Sequence, residues 1–226
     1  MKSYKIMGVL LTWLVCLLAA CDNMNDLHIG YLKEGERVYA AKVDSISPGP
    51  GNERINMEVF INAQRIDKIR IYWNAYRDSV DFQIGGKTGV FNIMLKNLPE
   101  REYLFQVVSF DKFGNRSLPF ECTSLSYGEN YRRTLANRRI ESISTITSGK
   151  AVFKWSMIDE DAEFTELTYV NSQGVSMQRK VPATVYSDTI ADYRPSSSFS
   201  FHTVYRPTKN SPDTFNTGTE TGTMPR

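Results

Sequence analysis

The amino-acid sequence predicts an all-β fold. Beyond about residue 38, short runs rich in Val, Ile, Tyr, Phe and Thr alternate with turn residues, and no long segment shows helical periodicity. Within these runs apolar residues recur at every second position, which is the period of a strand with one buried face. Strands at this spacing, joined by tight turns, predict sheets packed face to face as sandwiches.

The N-terminal segment is predicted to be a secretion signal. Lys2 and Lys5 flank a short polar start, and an almost unbroken apolar run follows from Ile6 to Leu18. As a helix this run would reach only about 20 Å, which is short of a hydrocarbon core of about 30 Å. The segment is therefore too short to be a permanent membrane span.

The end of this segment, Leu18-Ala19-Ala20-Cys21, resembles the lipobox of bacterial lipoproteins. The resemblance implies cleavage before Cys21, a diacylglycerol thioether on its sulfur, and acylation of the new amino group. Two or three acyl chains make a stable membrane anchor, whereas one chain holds only marginally. The alternative is ordinary signal-peptide cleavage beside a coincidental cysteine.

Charge and cysteine content exclude several classes of protein. Removal of Lys2 and Lys5 from the 27 basic residues leaves 25, which equals the 25 acidic residues. A near-neutral chain argues against nucleic acid as a partner, because that partner requires a basic excess. With Cys16 discarded and Cys21 lipidated, only Cys122 remains, so no internal disulfide is expected. We predict that Cys122 is a small buried hydrophobe rather than a reactive thiol.

After the signal peptide, 1–20, we predict a polar tether and two domains. The tether covers 21–38, the first domain 39–130 and the second 131–226. In the first domain, "RINMEVFIN" and "KIRIYWN" each place alternate apolar residues on one face. The residues on those faces are Ile55, Met57, Val59, Ile61, Ile69, Ile71 and Trp73. "SVDFQI", the turn "GGKTG" and "VFNIML" continue the series of strands.

The stretch "LKNLPEREYLFQVVSFDKFGNRSLP", 95–119, is the most fold-specific part of the chain. It resembles the E-to-F corner, F strand, F–G turn and G strand of a fibronectin type III domain. In that family a Leu precedes a Tyr by five residues, as Leu98 precedes Tyr103 here, and the Tyr hydroxyl bonds back to the corner backbone. Tyr103, Phe105, Val107 and Ser109 are then predicted to share a buried face.

The same pattern recurs in the second domain. "AVFKWSM" resembles a fibronectin-type B strand with Trp155 as its core aromatic, and "FTELTYVN" resembles a C strand. "NSQG" is a hairpin turn, and the last strand is expected around "DTFNTGTET". The fold class is therefore predicted as two tandem immunoglobulin/fibronectin type III-like β-sandwiches after a lipoprotein signal peptide.

Several features together resemble an uncharacterised family of Bacteroidetes lipoproteins, known only as a domain of unknown function. They are the lipobox, "IYWN", the corner, "YGENYRRTLANRRI" and "DTF". The resemblance covers essentially the whole mature chain. It implies an outer-membrane address and association with glycan-uptake machinery, but it carries no activity.

Candidate catalytic and metal-binding residues are few. His28 lies in the tether and His202 on a predicted strand, and no nucleophile elbow supports a triad built on His202. The segment "IDEDAEF" gathers acidic residues in a predicted loop, but it lacks the glycine and final glutamate of a calcium loop. Those acidic residues are Asp159, Glu160, Asp161 and Glu163. We therefore predict no cofactor, no metal site and no catalytic role.

Aromatic residues predicted at the surface are candidates for binding a glycan, because the C–H faces of sugars stack on rings. The candidates are Tyr72, Tyr76, Phe113, Tyr127 and Tyr131. The alternative for each is a place in a sandwich core. Basic side chains at the domain junction could hold an anionic sugar or a partner's carboxylates. The alternatives are pairing with Glu129 and Glu141 or packing across the interface between the domains. These basic residues are Arg132, Arg133, Arg138 and Arg139.

Three short segments, "DSI", "DSV" and "DTI", resemble the O-glycosylation signal of Bacteroidetes envelope proteins. Their acceptors would be Ser45, Ser79 and Thr189. The alternative is chance, since so short a pattern arises often in strands.

The sequence thus predicts a lipid-anchored outer-membrane protein, facing the cell surface or the periplasm. Its predicted role is non-catalytic binding of a polysaccharide or of another outer-membrane protein through sandwich loops or the domain junction. A structural spacer or scaffold subunit of an envelope complex is the second interpretation, and an enzyme is a distant third.

Overall fold

A computed structural model describes residues 38–226 of the chain. Residues Ala40–Arg226 form one compact unit. None of the helices among the described residues is long and apolar enough to cross a membrane. The unit contains the strands β1 Ser45–Pro50, β2 Arg54–Ile61, β3 Lys68–Trp73, β4 Asp78–Gln83, β5 Gly89–Lys96, β6 Arg101–Phe110, β7 Phe120–Ser126, β8 Ile140–Thr145, β9 Ala151–Trp155, β10 Ala162–Val170, β11 Ser176–Pro182, β12 Ser187–Ile190, β13 Ser198–Tyr205, β14 Phe215–Asn216 and β15 Glu220–Thr223, and the short helix α1 Glu129–Thr134.

The strands form two sandwiches with the same topology. In sandwich 1, the sheet β1-β2-β5 faces the sheet β4-β3-β6-β7. In sandwich 2, the sheet β12-β9-β8 faces a sheet in which β11, β10, β13 and β14 follow one another and β15 also pairs with β13. All pairings between these strands are antiparallel. The predicted fold class, two tandem fibronectin type III-like sandwiches, is confirmed.

The core of sandwich 1 follows the alternation read from the sequence. Ile55, Met57, Val59 and Ile61 are fully buried along β2, and Ile69 and Ile71 are fully buried along β3. Trp73 is half-buried and packs against the same core. Because residues of a strand alternate between its two faces, the intervening polar residues lie outside the sandwich.

The predicted corner between β5 and β6 is also confirmed. The Tyr103 ring is buried, and its hydroxyl donates a hydrogen bond to the Pro99 carbonyl at 3.0 Å. Ser126, at the end of β7, donates from Oγ to the Leu98 carbonyl at 2.7 Å. A buried tyrosine requires a partner for its hydroxyl, and the corner backbone supplies it. Beyond Tyr103, Phe105, Val107 and Ser109 share the buried face of β6 as predicted.

Sandwich 2 buries Trp155 at its centre, as the sequence predicted. The last strand differs from the expectation, because the segment "DTFNTGTET" contains only β14 and the start of β15. Between them, the Thr217 side chain donates to the side-chain oxygen of Asn137, and the Asn137 amide donates to the Gly218 carbonyl at 2.6 Å. These side-chain bonds replace part of the strand ladder.

Arg138 is buried at the entrance to sandwich 2. Its side chain is 1% exposed, and it donates to the backbone carbonyls of Ser156 at 2.8 Å and Pro182 at 3.1 Å. Its guanidinium lies between the rings of Trp155 and Tyr186, 5.8 Å and 5.5 Å from their centroids. Arg138 is therefore not available to hold an anionic sugar at the surface, and that interpretation of the residue is wrong.

Asp213 joins the two sandwiches. Its carboxylate accepts a hydrogen bond from Arg54 Nε at 2.8 Å, a second bond from the same guanidinium, and one from the Asn52 backbone N–H at 2.8 Å. Beside this pair, Gly49 lies against the backbone carbonyl of Asn210 with no room for a Cβ. The loop between β13 and β14 thus packs directly on the turn between β1 and β2.

Replacement Tyr103→Phe tests the corner. We expect it to lower the free energy of unfolding by about 1 kcal/mol, because the hydrogen bond between the Tyr103 hydroxyl and the Pro99 carbonyl is lost while the ring stays in place. Urea denaturation followed by fluorescence measures the change. Tyr186→Phe, at a half-exposed ring whose hydroxyl makes no hydrogen bond to a described residue, is the control and should leave stability unchanged. Equal stabilities for the two variants would contradict the role of the corner.

Replacement Asp213→Asn tests the joint. The hydrogen bond from Arg54 lowers the pKa of Asp213 below 3.8, so the pair stabilises the fold above that pH and loses its effect as pH falls through the lowered pKa. Because the Arg54 side chain is 37% exposed, we expect a loss of only about 1 kcal/mol in the free energy of unfolding at neutral pH.

Urea denaturation at neutral pH and well below pH 3.8 measures this dependence. The difference between wild type and Asp213→Asn should shrink in acid, while the exposed control Glu58→Gln should change little at either pH. A difference that is independent of pH would contradict an ionic role for Asp213.

Candidate functional site

The hairpin that joins β3 to β4 presents two tyrosines side by side. The ring of Tyr76 is 53% exposed at the turn, and the half-buried ring of Tyr72 lies on the outer face of β3. Their centroids are 5.0 Å apart and their planes are inclined by 60°. The Arg70 guanidinium lies over the Tyr72 ring, 5.9 Å from its centroid, at the distance of a cation–π contact.

The turn under these rings has an uncommon backbone. Asn74, Ala75 and Tyr76 all adopt left-handed conformations, with φ of 52°, 53° and 65°. For a residue with a Cβ this conformation costs about 1–2 kcal/mol, so side-chain bonds must hold it. The Asn74 amide donates to the Asp78 carboxylate, and the Arg101 guanidinium donates to Asn74 Oδ1 at 2.6 Å. The exposed aromatic surface therefore rests on a locked turn.

A cleft of about 210 Å³ adjoins this turn. Its wall includes Arg101 and Gln106 from β6, and Gln106 lies beside Tyr72 in the strand register. Gln106 donates from Nε2 to the Glu121 carboxylate at 2.6 Å, which sets the two planar groups side by side on the sheet. Neither Arg101 nor Gln106 was singled out from the sequence, because both are ordinary outward-facing strand residues there.

The tyrosines at the junction are engaged by the protein itself. Tyr127 and Tyr131 have centroids 4.3 Å apart, and both rings pack on Phe215 of sandwich 2. The Tyr131 hydroxyl donates to Asp161 Oδ2 at 3.0 Å. Burial, followed by this bond to Asp161, raises the pKa of Tyr131. The two rings are half-buried and form an aromatic contact between the sandwiches.

Arg132 and Arg133 lie on α1 and are exposed. Both pair with Glu129, at 2.7 Å and 3.2 Å, which is the local pairing that the sequence offered as an alternative. The Glu100 carboxylate caps the N-terminus of α1. It accepts hydrogen bonds from the first backbone N–H groups of the helix, including that of Tyr131 at 2.6 Å. Both arginines therefore lie at the surface beside the junction, each with a partner carboxylate of its own helix.

The acidic residues do not gather at one point. Asp161 accepts a bond from Tyr131, and Glu163 accepts one from Arg206. Glu163 lies within β10, so its assignment to a loop is wrong; pairing of β10 with β13 extends the strand to Ala162. Within residues 38–226, no three His, Cys, Asp or Glu side chains are grouped to hold a metal ion.

His202 lies half-buried on β13 opposite Glu166. No side-chain hydrogen bond joins it to a serine of the described chain. Cys122 is half-buried against the core of sandwich 1, and burial raises the pKa of its thiol to about 11. Cys21 and His28 lie outside the described residues.

The three candidate acceptors for O-glycosylation are exposed. Ser45 lies on β1, Ser79 on β4 and Thr189 on β12, and each of these is an edge strand of its sheet. The aspartates that precede them are all bonded: Asp44 to the Asn62 N–H, Asp78 to Asn74, and Asp188 to Arg179. Modification at these positions stays a prediction.

A known protein family matches most of the chain. The model of a domain of unknown function, DUF4998, matches residues 21–215 and so spans both sandwiches. The chain belongs to this family. The predicted resemblance to a family of unknown function is thereby confirmed, whereas the lipoprotein character and the Bacteroidetes origin stay predictions. No curated protein matches this DUF4998 chain.

Two solved structures are similar to the DUF4998 chain at low identity. The crystal structure of chicken CNTN1 FN1–FN3 domains is 11% identical with a TM-score of 0.43, and the match covers 84% of this chain and 66% of that one. The two-domain fibronectin type III segment of chicken tenascin is 12% identical with a TM-score of 0.33, covering 82% of this chain and all of that one. The DUF4998 chain therefore spans about two thirds of the CNTN1 fragment.

Replacement Ala75→Gly tests the strain in the turn of the DUF4998 chain. Glycine has no Cβ to strain a left-handed residue, so we expect the free energy of unfolding to rise by up to about 1 kcal/mol, despite the greater freedom of the unfolded chain. Ala191→Gly, at an exposed position without positive φ, should lower it by about 0.5–1 kcal/mol. Urea denaturation distinguishes the two, and loss of stability in Ala75→Gly would contradict a strained turn.

Proposed function

We propose that this DUF4998 chain is a non-catalytic, lipid-anchored outer-membrane protein that binds a glycan on the outer face of sandwich 1. The observation that carries the proposal is the pair of tyrosines, Tyr72 on β3 and Tyr76 on the left-handed turn that follows it, with ring centroids 5.0 Å apart. A rigid aromatic surface binds with little loss of side-chain freedom, because its rings are ordered before the ligand arrives.

The groups around the rings match the chemistry of a sugar. A sugar offers C–H faces that stack on aromatic rings, and hydroxyls that need both donors and acceptors. Gln106 supplies an amide next to Tyr72, and Glu121 supplies a carboxylate bonded to it. An amide both donates and accepts hydrogen bonds, and a carboxylate accepts several. The cleft of about 210 Å³ beside the turn is large enough for part of one sugar unit.

The lipid anchor and the outer-membrane address rest on the sequence. Leu18-Ala19-Ala20-Cys21 resembles a lipobox, and the family match begins at residue 21, the residue predicted to carry the lipid. Acyl chains on Cys21 would hold the chain on one face of a membrane, with the sandwiches outside the bilayer.

A structural spacer in an envelope complex is the second candidate. It is favoured by the junction, where Tyr127 and Tyr131 pack on Phe215 and Asp213 joins Arg54 across the two sandwiches. These contacts fix the relative orientation of the sandwiches, which a spacer requires. A binding protein benefits from the same rigidity, so the two roles are separated by experiment.

The test is binding of the chain to an array of host and plant polysaccharides. We expect Tyr76→Ala to weaken binding by about 2 kcal/mol, or thirtyfold, as truncation of a central aromatic contact typically does. Tyr72→Ala should have an effect of similar size. Tyr186→Ala is the matched control, because its ring is 52% exposed against 53% for Tyr76 and lies in sandwich 2.

Each outcome decides between the two roles. Binding that is lost in the Tyr72 and Tyr76 variants and kept in the Tyr186 variant supports a glycan site at the turn. Binding that survives all three variants contradicts that site. Absence of binding to every polysaccharide overturns glycan recognition and favours the spacer, which crosslinking to neighbouring envelope proteins then tests.

A further inference from the structure

The end of sandwich 1 that lies away from sandwich 2 carries more basic than acidic residues. Four segments meet there: the loop between β2 and β3, the loop between β4 and β5, the turn between β6 and β7, and the segment before β1. Hydrogen bonds join them: the Asp67 N–H donates to Phe110 at 2.8 Å, the Gly85 N–H to Asp67 at 2.8 Å, and the Ala40 N–H to Arg116 at 3.2 Å. We name these loops together the basal end. Its exposed basic residues are Lys42, Arg65, Lys87, Lys112 and Arg116.

The basic side chains of the basal end have no carboxylate partner among the described residues. None of its five basic residues forms an ion pair with another described residue. Its acidic residues are Asp44, Asp67 and Asp111, and two of them are occupied by side-chain hydrogen bonds within the loops. Asp44 accepts the Asn62 N–H at 2.7 Å, and Asp111 accepts the N–H groups of the turn that follows it. The five basic residues nevertheless outnumber the three aspartates, so this end carries a local excess of positive charge.

Phe113 projects from the turn between β6 and β7 at this end. Its side chain is 91% exposed, the highest value among the large apolar residues of the described chain. The turn that carries it is rigid, because Asp111 accepts the N–H groups of Phe113 and Asn115, both at 2.9 Å. Gly114, at φ 85°, provides the left-handed residue that the turn requires. Phe113 is therefore an exposed aromatic side chain held in a defined position among the basic residues of the basal end.

The polypeptide enters the folded unit at this same end. The Ala40 N–H bonds to the Arg116 carbonyl, and Ser109 Oγ bonds to the Ala41 carbonyl. The residues that precede Ala40 lead back to Cys21. If Cys21 carries lipid, as proposed above, the basal end is the part of the fold nearest in sequence to the anchor.

We propose that the basal end is a membrane-docking surface, on which Phe113 inserts into the headgroup region of the leaflet that holds the anchor and the five basic side chains contact anionic headgroups. This inference rests on the proposed lipid anchor. A basic surface with a projecting aromatic residue has the composition of an interfacial membrane contact. The contact would hold sandwich 1 upright on the membrane, with the junction and sandwich 2 farther out.

Bromolipid quenching of tryptophan tests the insertion. The lipidated full chain is reconstituted in phosphatidylcholine vesicles with brominated acyl chains, with and without phosphatidylglycerol. We expect strong quenching in Phe113→Trp and none beyond the wild-type background in Met157→Trp, whose parent side chain is 80% exposed on sandwich 2. If quenching at position 113 is no stronger than at position 157, the membrane-docking proposal is wrong. Binding of an acidic protein partner would then be the remaining role for this surface.

Charge variants test the contribution of the basic residues. In the Phe113→Trp background, each of Lys87→Glu and Lys112→Glu should shift the equilibrium between docked and free states by about fivefold or more when phosphatidylglycerol is present. Lys150→Glu, an exposed lysine of sandwich 2, is the control and should leave the quenching unchanged. Equal effects of the three substitutions would contradict a docking surface localised at the basal end.

Failure of the anchor is distinguishable from failure of the docking. Metabolic labelling with palmitate should mark the wild type and not Cys21→Ala. If the wild type is not labelled, the proposed lipid anchor is wrong. The same tryptophan variants, mixed with anionic vesicles as chains without an anchor, then test whether the basal end binds the membrane by itself. Labelling without quenching at position 113 keeps the anchor and overturns the docking surface.

Discussion

The bond between Asp213 and Arg54 is the interaction on which the arrangement of the two sandwiches depends. Each sandwich has its own core, and hydrophobic packing inside each does not determine how one meets the other. The Asp213 carboxylate reaches from the loop after β13 to the guanidinium of Arg54 and to the backbone of Asn52. Charge-assisted bonds of this kind are directional. They therefore favour one orientation of the two sandwiches relative to each other. The aromatic contact of Tyr131 with Phe215 packs beside them in that orientation.

With this joint in place, the two surfaces proposed for binding and docking lie on separate parts of sandwich 1. The joint occupies the turn between β1 and β2, while the outer face of its larger sheet carries Tyr72 and Tyr76. The opposite end receives the incoming chain and carries the basic residues and Phe113. The proposed binding and docking surfaces thus consist of loops and outward-facing residues, whereas the alternating inward-facing residues supply stability.

Much of the fold could be predicted because each strand repeats a simple rule. Burial of every second residue, as along β2, follows from the pleat of any strand, so the sequence displays it directly. The corner of Leu98 and Tyr103 could be read for a similar reason, since both partners lie within a few residues. Less could be predicted where the ladder is interrupted: the split between β14 and β15 depends on bonds to Asn137, which is distant in sequence.

The sequence by itself determined the all-β class, the two sandwiches, the buried faces and the family, because these depend on local period and on motifs of adjacent residues. The tertiary structure alone decided which candidate aromatics are exposed. Tyr76 and Tyr131 look alike in sequence, yet one lies on a strained, solvent-facing turn and the other donates to Asp161 beneath Phe215. It also gathered the basic residues of four separate loops at one end. Such groupings arise from contacts between distant segments, which no local pattern records.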